Sequence, residues 1–446
     1  MNNPFIRRGV APLLSPLLAA LLLTACATPD FVQPNVATPA AFRESQAPKA
    51  ADVEVAGVDG ARWKPAQPAE AQPRGQWWLA FNDPALTALI EEAAANNANL
   101  SVAASRVKQA RAIAGIAEAD RIPQVGIGIG AQRARLSPLE SNLPQGTDTE
   151  ARTSYTARLS ASYEVDLFGR VAAGVSAARG DAATSEANFR SVLLALQADV
   201  AQTYFRLRAL DAELETVDQT VRLREESVGV TQRRFDLGDI GEFDLSRART
   251  ELATARAEAI GVQRQRATTE HALAVLLGKP AADYVAGPSP LLDASLMPAI
   301  PAGLPSSLLE RRPDIVAAQR AMEASNARIG VARAAMFPAL TINADGGGVG
   351  GVFSEVFKWS SRSWVLGALA SMPIIDGGRN RNNIVRSEAV LEESVGTYRQ
   401  SVLVAFAEVE DNLAGLRILA GQAGEIDAAV VSARRSTDLA QKLYDA

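Results

Sequence analysis

The sequence predicts a membrane protein of the α+β class, in which short β-strands alternate with very long α-helices. Residues 154–166 alternate between polar and apolar side chains, a period typical of a strand with two different faces. Directly afterwards the period becomes helical, and no proline occurs between Val171 and Gly238. About 65 residues of helix would extend roughly 100 Å, which is longer than a compact globular domain needs.

The strand pattern favours a position between lipid and a water-filled lumen. A tyrosine stands near each margin of the apolar face, Tyr155 and Tyr163, and the polar face carries three charges. The two tyrosines are separated by roughly 26 Å along the strand, or about 20 Å of membrane depth when the strand is tilted. A strand of a water-soluble sandwich would alternate in the same way, so this alternative stays open here.

The long helix, predicted at about 171–236, carries a heptad seam that indicates packing against other long helices. The positions of this seam are Leu196, Val200, Thr203, Leu207, Leu210, Leu214, Val217, Val221, Arg224 and Val228.

Composition excludes several functional classes. The chain has 446 residues and a net charge of −5, and no basic stripe with interleaved aromatic residues predicts a nucleic-acid interface. The single histidine, His271, and the single cysteine, Cys26, leave no nucleophile system and no metal-binding cluster. We therefore expect neither an enzyme nor a bound cofactor or metal, and a periplasmic lipoprotein enzyme is the disfavoured hypothesis.

The first 25 residues predict export and lipidation. Arg7 and Arg8 precede an apolar run that is too short to span a membrane, and Leu23 to Cys26 match a bacterial lipobox. Residues 1–25 are thus a predicted lipoprotein signal peptide, and Cys26 is the predicted site of a covalent lipid. Ala27 is not the aspartate that retains lipoproteins at the inner membrane, so an outer-membrane location is favoured. A plain signal peptide with an incidental cysteine is the alternative.

The chain between Cys26 and the middle of the sequence divides into three predicted segments. These are an extended strap at 26–82, a first structural repeat at 83–278 and a proline-rich linker at 279–307. Within the repeat we expect one helix from Pro84 to about Arg121, strands at about 123–135 and 152–168, and a return helix after the long one, closed by Gly278.

The second half repeats the first. Residues 100–123 match residues 315–338 without a gap, and Gly169 matches Gly378. The second repeat is predicted at 308–446, with strands at about 338–350 and 362–375. The offset of 209 between Gly169 and Gly378 would place the counterpart of the turn glycine Gly238 at position 447, the next residue after Ala446. We therefore expect this repeat to be incomplete at its C-terminus.

Four membrane strands leave two unpaired edges, which lipid cannot satisfy with hydrogen bonds. The chain is therefore expected to oligomerise. Two copies would supply eight strands, a number whose barrel is normally filled by side chains, whereas three copies supply twelve and enclose a wider lumen. The predicted fold is a trimeric 12-stranded β-barrel continuous with a long periplasmic α-helical barrel, each chain being an internal two-fold repeat of helix, strand, strand, helix and helix.

The sequence resembles the outer-membrane factor family of tripartite efflux systems, the TolC-like lipoproteins of the OprM/NodT type. The resemblance covers nearly all of residues 26–446. It rests on the following motifs: Trp77, Trp78, Phe81, Asp83 and Pro84; residues 166–170, Asp-Leu-Phe-Gly-Arg; residues 308–315, Leu-Leu-Glu-Arg-Arg-Pro-Asp-Ile; and Pro373, Asp376, Gly377, Gly378 and Arg379.

The resemblance implies a homotrimeric exit channel in the outer membrane, anchored by lipid and extended far into the periplasm. It implies a periplasmic adaptor (membrane fusion) protein and an inner-membrane pump of the resistance-nodulation-division class as partners. Small toxic compounds would pass to the exterior without chemistry by this chain, and the substrate is not readable from the sequence. The exit duct of a type I protein-secretion system is the alternative within the same fold.

The resemblance also implies a gate at the periplasmic end of the tube, closed by inward-facing acidic residues. The matching neighbourhood makes Asp411 the first candidate and Glu408 the second, with Asp199 as the first-repeat counterpart of Glu408. Carboxylates gathered by threefold symmetry repel one another unless they are paired. A solvated helix face is the open alternative. Docking of the adaptor is expected at the turn that contains Gly238, Asp239 and Gly241, although the turn by itself only requires chain reversal.

Overall fold

The computed structural model describes residues 29–34, 42–44, 76–290 and 312–445. The predicted signal peptide, Cys26, most of the strap and much of the proline-rich linker lie outside these residues. The helices are α1 (Pro84–Asn96), α2 (Ala98–Ala119), α3 (Arg170–Asp236), α4 (Glu242–Leu276), α5 (Pro313–Ala334) and α6 (Arg379–Asp445). The strands are β1 (Gln124–Ala134), β2 (Arg152–Val165), β3 (Ala339–Gly350) and β4 (Arg362–Ser371).

The chain divides into two compact units, which are described separately. Unit 1 contains the described residues of the ranges 1–36, 106–186 and 315–401, and unit 2 contains those of 37–105, 187–314 and 402–446. The two long helices, α3 and α6, have 67 residues each and contribute to both units. Their lengths agree with the helical period that follows each strand pair in the sequence.

Unit 1 is organised around one antiparallel sheet with the strand order β1-β2-β3-β4. The register places Ile127 opposite Leu159, and Tyr163 opposite Ile342. Since directly paired residues share a face, most of the large apolar residues of the four strands lie on one side of the sheet. We call this side the apolar face. Its strand residues are Val125, Ile127, Ile129, Ala131 and Arg133; Thr153, Tyr155, Ala157, Leu159, Ala161, Tyr163 and Val165; Leu340, Ile342, Ala344, Gly346, Gly348 and Gly350; and Arg362, Trp364, Leu366, Ala368 and Ala370.

The opposite face is mostly polar on the three strands that precede β4. It carries Arg152, Arg158, Glu164 and Asp345 together with serines, threonines, glutamines and glycines, and Val349 is a large apolar residue on this side. On β4 the same side holds Val365 and Leu369, so the polarity of this face decreases toward that edge. A sheet that is apolar on one side and largely polar on the other fits a wall between lipid and water.

Three predicted boundaries require correction. The expected single helix from Pro84 to about Arg121 is broken at Asn97, which has an extended backbone. Asn97 is buried, and its side chain finds partners there. It accepts a hydrogen bond from the Leu100 amide (3.1 Å) and donates one to the Leu276 carbonyl (3.0 Å). This contact with α4 stabilises a new helix start, and the hydrophobic period alone does not reveal it.

The strands β2 and β4 end before the predicted residues 168 and 375. The reason is a side-chain cap after each strand. Asp166 accepts hydrogen bonds from the amides of Val171 (3.0 Å) and Ala172 (2.7 Å), and so satisfies the first amides of α3. Asp376 accepts from the Gly378 (2.8 Å) and Asn380 (2.9 Å) amides in the same way.

The cap at Asp376 also changes its acidity. Hydrogen bonds from the backbone amides of Asn380 and Gly378 lower the pKa of the Asp376 carboxyl from its ordinary value. Because this pKa is lowered on folding, the carboxylate stabilises the start of α6 at neutral pH, and that contribution is lost as the pH falls through the folded-state pKa.

Unit 2 is held by an apolar core in which Trp78, Leu86 and Ile90 pack with Val200 and Leu273. The cap of α1 extends this core into a polar network. Asp83 is buried, and its Oδ1 accepts hydrogen bonds from the amides of Ala85 (2.9 Å) and Leu86 (3.1 Å). The helix cap that the Asp-Pro pair predicts is therefore present.

The second carboxylate oxygen of Asp83 contacts the long helix α3. It accepts hydrogen bonds from the Tyr204 hydroxyl (2.8 Å) and from Arg208 Nη1 (2.9 Å). Burial and the hydrogen bond to Asp83 raise the pKa of the Tyr204 hydroxyl above its ordinary value. Tyr204 therefore stays protonated in the fold and serves as a donor.

No helix within the described parts of the chain combines the length and the apolar character that a membrane-spanning helix requires.

Candidate functional site

The three candidate gate carboxylates have different surroundings. Glu408 forms an ion pair with Arg312 (2.5 Å), whereas Asp411 and Asp199 are exposed and have no ion pair among the described residues. No described hydrogen bond joins Asp411 or Asp199 to Glu408. Of the two favoured residues, only Asp411 is thus exposed without a cation partner among the residues that the structure describes.

Arg312 links Glu408 to the start of α5. Its guanidinium donates to both carboxylate oxygens of Asp314, at 3.1 and 2.7 Å, as well as to Glu408. The hydrogen bonds to Asp314, and then those to Glu408, hold the pKa of Arg312 above its ordinary value. The pair is partly exposed, so its main effect is to orient Glu408 rather than to stabilise the fold strongly.

A neighbouring acidic residue, Glu410, binds the residues that precede the first described helix. It accepts hydrogen bonds from the amides of Arg43 (2.7 Å) and Glu44 (3.1 Å), and Glu44 in turn pairs with Arg417 (2.8 Å). Phe42 packs its ring against Phe406 at 6.5 Å. The packing of residues 42–44 against α6 was not predicted, because contacts between residues so distant along the chain leave no periodic signal in the sequence.

The height of the candidate gate differs from the expectation. Asp411 and Glu408 lie near the midpoint of α6, which begins at Arg379 and ends at Asp445. About 50 Å of helix separates Asp411 from Asp445 at about 1.5 Å per residue. A constriction built by Asp411 would therefore lie midway along this helix, and not at the end far from the strands.

The candidate docking turn joins α3 to α4. Gly238 has a φ of 77°, its amide donates to the Phe235 carbonyl (2.9 Å), and the Asp239 amide donates to the Arg234 carbonyl (2.9 Å). These two hydrogen bonds form a Schellman motif, which requires a left-handed residue at the glycine position. The Asp239 carboxylate also pairs with Arg234 (2.6 Å).

The surface of this turn is more apolar than turn chemistry alone requires. Leu237 is 84% exposed and Phe243 is 78% exposed, and both flank the glycines. Contiguous apolar patches on a surface often mark contacts with other proteins, and these two side chains lie beside the candidate docking turn. The prediction of this turn rested on its glycines and did not include these two residues, although the sequence has an apolar residue on each side of Gly238-Asp239-Ile240-Gly241.

The remaining candidates add no chemical site. Cys26 lies outside the described residues, and its lipidation stays a prediction. His271 is exposed on α4. Among the described residues, no group of three or more potential ligands could hold a metal ion.

At the helix end of the sheet, a cavity of about 260 Å³ is lined by the junction between β2 and α3. Arg170 Nε donates to Glu164 (2.7 Å) within it, and the rings of Phe168 and Phe337 stack at 4.9 Å. This arrangement joins a strand firmly to a helix. It contains no nucleophile that is paired with a base.

Comparisons with known proteins agree with this geometry. A family model described as outer membrane efflux protein matches residues 89–279 and 304–446, which is more than half of the chain. The chain is 33% identical over 429 residues to the pyoverdine export outer membrane protein OpmQ of Pseudomonas putida, covering 96% of this chain and 87% of the relative. It is 33% identical over 404 residues to the probable efflux pump outer membrane protein TtgC of the same species, covering 90% and 80%.

A solved structure shares the fold. Crystal structures of CusC, reported in connection with transmembrane channel formation, superimpose with a TM-score of 0.77 and 27% sequence identity. The match covers 94% of this chain and 89% of CusC. With a two-faced sheet, two 67-residue helices and these similarities over most of its length, the chain belongs to the outer membrane efflux protein family.

Proposed function

We propose that three copies of this protein close a 12-stranded β-barrel that is continuous with a periplasmic α-helical barrel. The protein is the exit channel of an efflux pump and is located in the outer membrane. Small toxic compounds pass from the periplasm to the exterior through the proposed trimer, and the chain does not react with them. The observation that carries this proposal is the single apolar face shared by all four strands.

The closed barrel follows from the edges of that sheet. The order β1-β2-β3-β4 leaves one edge of β1 and one edge of β4 without a partner in the described chain. Each unpaired backbone group in lipid costs several kcal/mol, so the strands need neighbouring copies. Three copies of four strands give twelve. Helices of equal length after each strand pair support the internal two-fold repeat.

The mass of the detergent-solubilised protein tests this assembly. After subtraction of bound detergent by analytical ultracentrifugation, we expect three times the mass of one mature chain. The unprocessed chain has a mass of 47.1 kDa, and removal of the predicted signal peptide lowers this value. A monomer would contradict the closed barrel, and a dimer would contradict the twelve-stranded one. A second experiment tests the efflux function. In cells that depend on this protein as their exit channel, we expect deletion of the protein to abolish the export of a dye. Export of a secreted protein in its place would favour the type I secretion alternative.

Adaptor docking is proposed at the turn of Gly238, Asp239 and Gly241, together with the exposed Leu237 and Phe243 beside it. TtgC is named as part of an efflux pump, and this supports pump components as partners of this chain. A periplasmic adaptor and an inner-membrane pump of the resistance-nodulation-division class are the proposed partners, on the basis of the motifs that resemble the outer-membrane factor family. A covalent lipid at Cys26 is proposed as an additional anchor, on the basis of the lipobox alone.

Asp411 is proposed as a constriction residue of the helical tube, with Glu408 and Asp199 as secondary candidates. Asp411→Ala is expected to increase the closed-state current of the reconstituted trimer severalfold, because it removes a ring of three polar side chains. The measurement is planar-bilayer conductance in the absence of adaptor. Asp427 is a matched control, since it is an exposed carboxylate on the same helix about 160° around the axis. An unchanged current in Asp411→Ala would remove the assignment.

A further inference from the structure

The apolar face has an uneven distribution of charge. Only two of its strand residues are charged, Arg133 on β1 and Arg362 on β4, and both are arginines. Both lie at the end of the sheet where loops 135–151 and 351–361 join the strands, which we call the loop end. The opposite end of this face carries no charged strand residue. The face thus presents positive charge at one margin only.

A turn folds over this margin and places aromatic rings there. Val356 is buried against β3, where a Cβ on Gly348 would lie 1.9 Å from the Val356 carbonyl oxygen. Glycine at position 348 is therefore what lets the turn approach the apolar face. The Phe353 ring packs edge-on against Tyr155 (6.2 Å), and Phe357 packs against Phe353 (5.6 Å).

The next residues bring an aromatic ring to one of the arginines. Arg362 lies over the ring of Trp359, 4.8 Å from its centroid, and Trp359 is 81% exposed. Stacking on indole orients the guanidinium and leaves its N–H groups free to bind an anion. An exposed tryptophan beside an apolar surface is typical of the region of lipid headgroups.

The two arginines have no carboxylate partner among the described residues. The one acidic side chain of the folded turn, Glu355, is paired with Lys358 at 3.1 Å. The strand residues of the apolar face therefore offer only positive charge at this margin. A guanidinium donates two parallel hydrogen bonds to a phosphate group, which makes phosphate the anion of best fit.

We propose that Arg133 and Arg362, with Trp359, bind the phosphate groups of a phosphorylated glycolipid in the outer leaflet of the outer membrane. The proposal rests on the proposed barrel, which directs the loop end to the exterior. Because Arg133 lies on one edge strand and Arg362 on the other, closure of the trimer would place one arginine on each side of every seam between copies. Such a lipid would bridge neighbouring chains.

Native mass spectrometry of the full detergent-solubilised protein, titrated with diphosphoryl lipid A, tests the proposal. The double variant R133Q/R362Q is expected to bind about 30-fold more weakly than the wild type, from about fivefold per arginine at a membrane surface. The variant R133K/R362K, which keeps the charge but loses the guanidinium fork, is expected to fall between the two. Lipid A without phosphates is expected to bind all forms equally weakly.

Arg152 supplies the matched control. It is exposed, lies one residue from the level of Arg133 and points to the other face of the sheet. R152Q is expected to bind lipid A like the wild type. The proposal is overturned if R133Q/R362Q binds like the wild type, if R152Q weakens binding equally, or if phosphatidylglycerol binding falls while lipid A binding does not. The same spectra report the oligomer, so a monomeric mass marks failure of the barrel, whereas a trimer with unchanged binding marks failure of the lipid site alone.

Discussion

Replacement of Asp83 by alanine is expected to lower the free energy of unfolding of unit 2 by about 3–5 kcal/mol, the usual cost of breaking a buried ion pair. The change removes the acceptor of Arg208 Nη1 and of the Tyr204 hydroxyl, and it also removes the cap of α1. Arg208 keeps hydrogen bonds to the Ser289 carbonyl (3.1 Å) and to Tyr204, but its charge would lose its carboxylate partner. Denaturant unfolding in detergent, followed by circular dichroism, measures the loss.

Two variants separate the contributions of this network. Asp83→Asn keeps an acceptor for the helix amides and removes the charge, so its cost is expected to lie between those of the wild type and the alanine variant. Asp148→Ala breaks an exposed pair with Arg135 and is expected to cost no more than about 1 kcal/mol. Equal stability of Asp83→Ala and Asp148→Ala would show that the buried network does not stabilise unit 2.

The second large effect is expected at Gly278, which ends α4. Its φ is 71°, and a Cβ there would lie 2.4 Å from the carbonyl oxygen of Asn96 at the end of α1. Gly278→Ala combines the cost of a left-handed backbone, about 1–2 kcal/mol, with a backbone clash of about 1–3 kcal/mol. The same denaturant unfolding is expected to show a loss of about 2–5 kcal/mol.

Gly238 separates the two causes. It has a similar φ of 77°, but a Cβ there would meet no atom within 4 Å. Gly238→Ala is therefore expected to cost only the backbone share, about 1–2 kcal/mol. If both variants lose the same free energy, the close approach of α1 to Gly278 is not what destabilises the alanine variant.

Much of the architecture was predictable because it depends on the local periodicity of polar and apolar residues. The change from a period of two to a helical period at the Asp-Leu-Phe-Gly-Arg segment predicts the junction of β2 and α3, and glycine predicts the ends of α3 and α4. The break at Asn97 was not predictable. The side chain that caps α2 also binds the Leu276 carbonyl, a contact across 179 positions of sequence that no local pattern encodes.

The candidate site was predictable only in residue type. The family resemblance and the internal repeat select Glu408 and Asp411 on α6, and both residues are exposed. Neither source shows that Glu408 forms an ion pair with Arg312, or that Glu410 accepts hydrogen bonds from the amides of Arg43 and Glu44. Periodicity specifies the face of a helix on which a carboxylate lies, whereas its partner depends on which distant segment packs there.

Local sequence patterns were sufficient to predict the alternation of strands and long helices, the apolar sides of β1, β2 and β3, and the glycine turns, because each depends on neighbours a few residues away. Only the folded chain sets the register that brings the apolar sides of the strands onto one face, the partners of Asp83, and the contacts of Glu410 with the amides of Arg43 and Glu44. These features depend on packing between segments far apart in the chain. Their free energy comes from burial and from hydrogen bonds that form only when the segments meet.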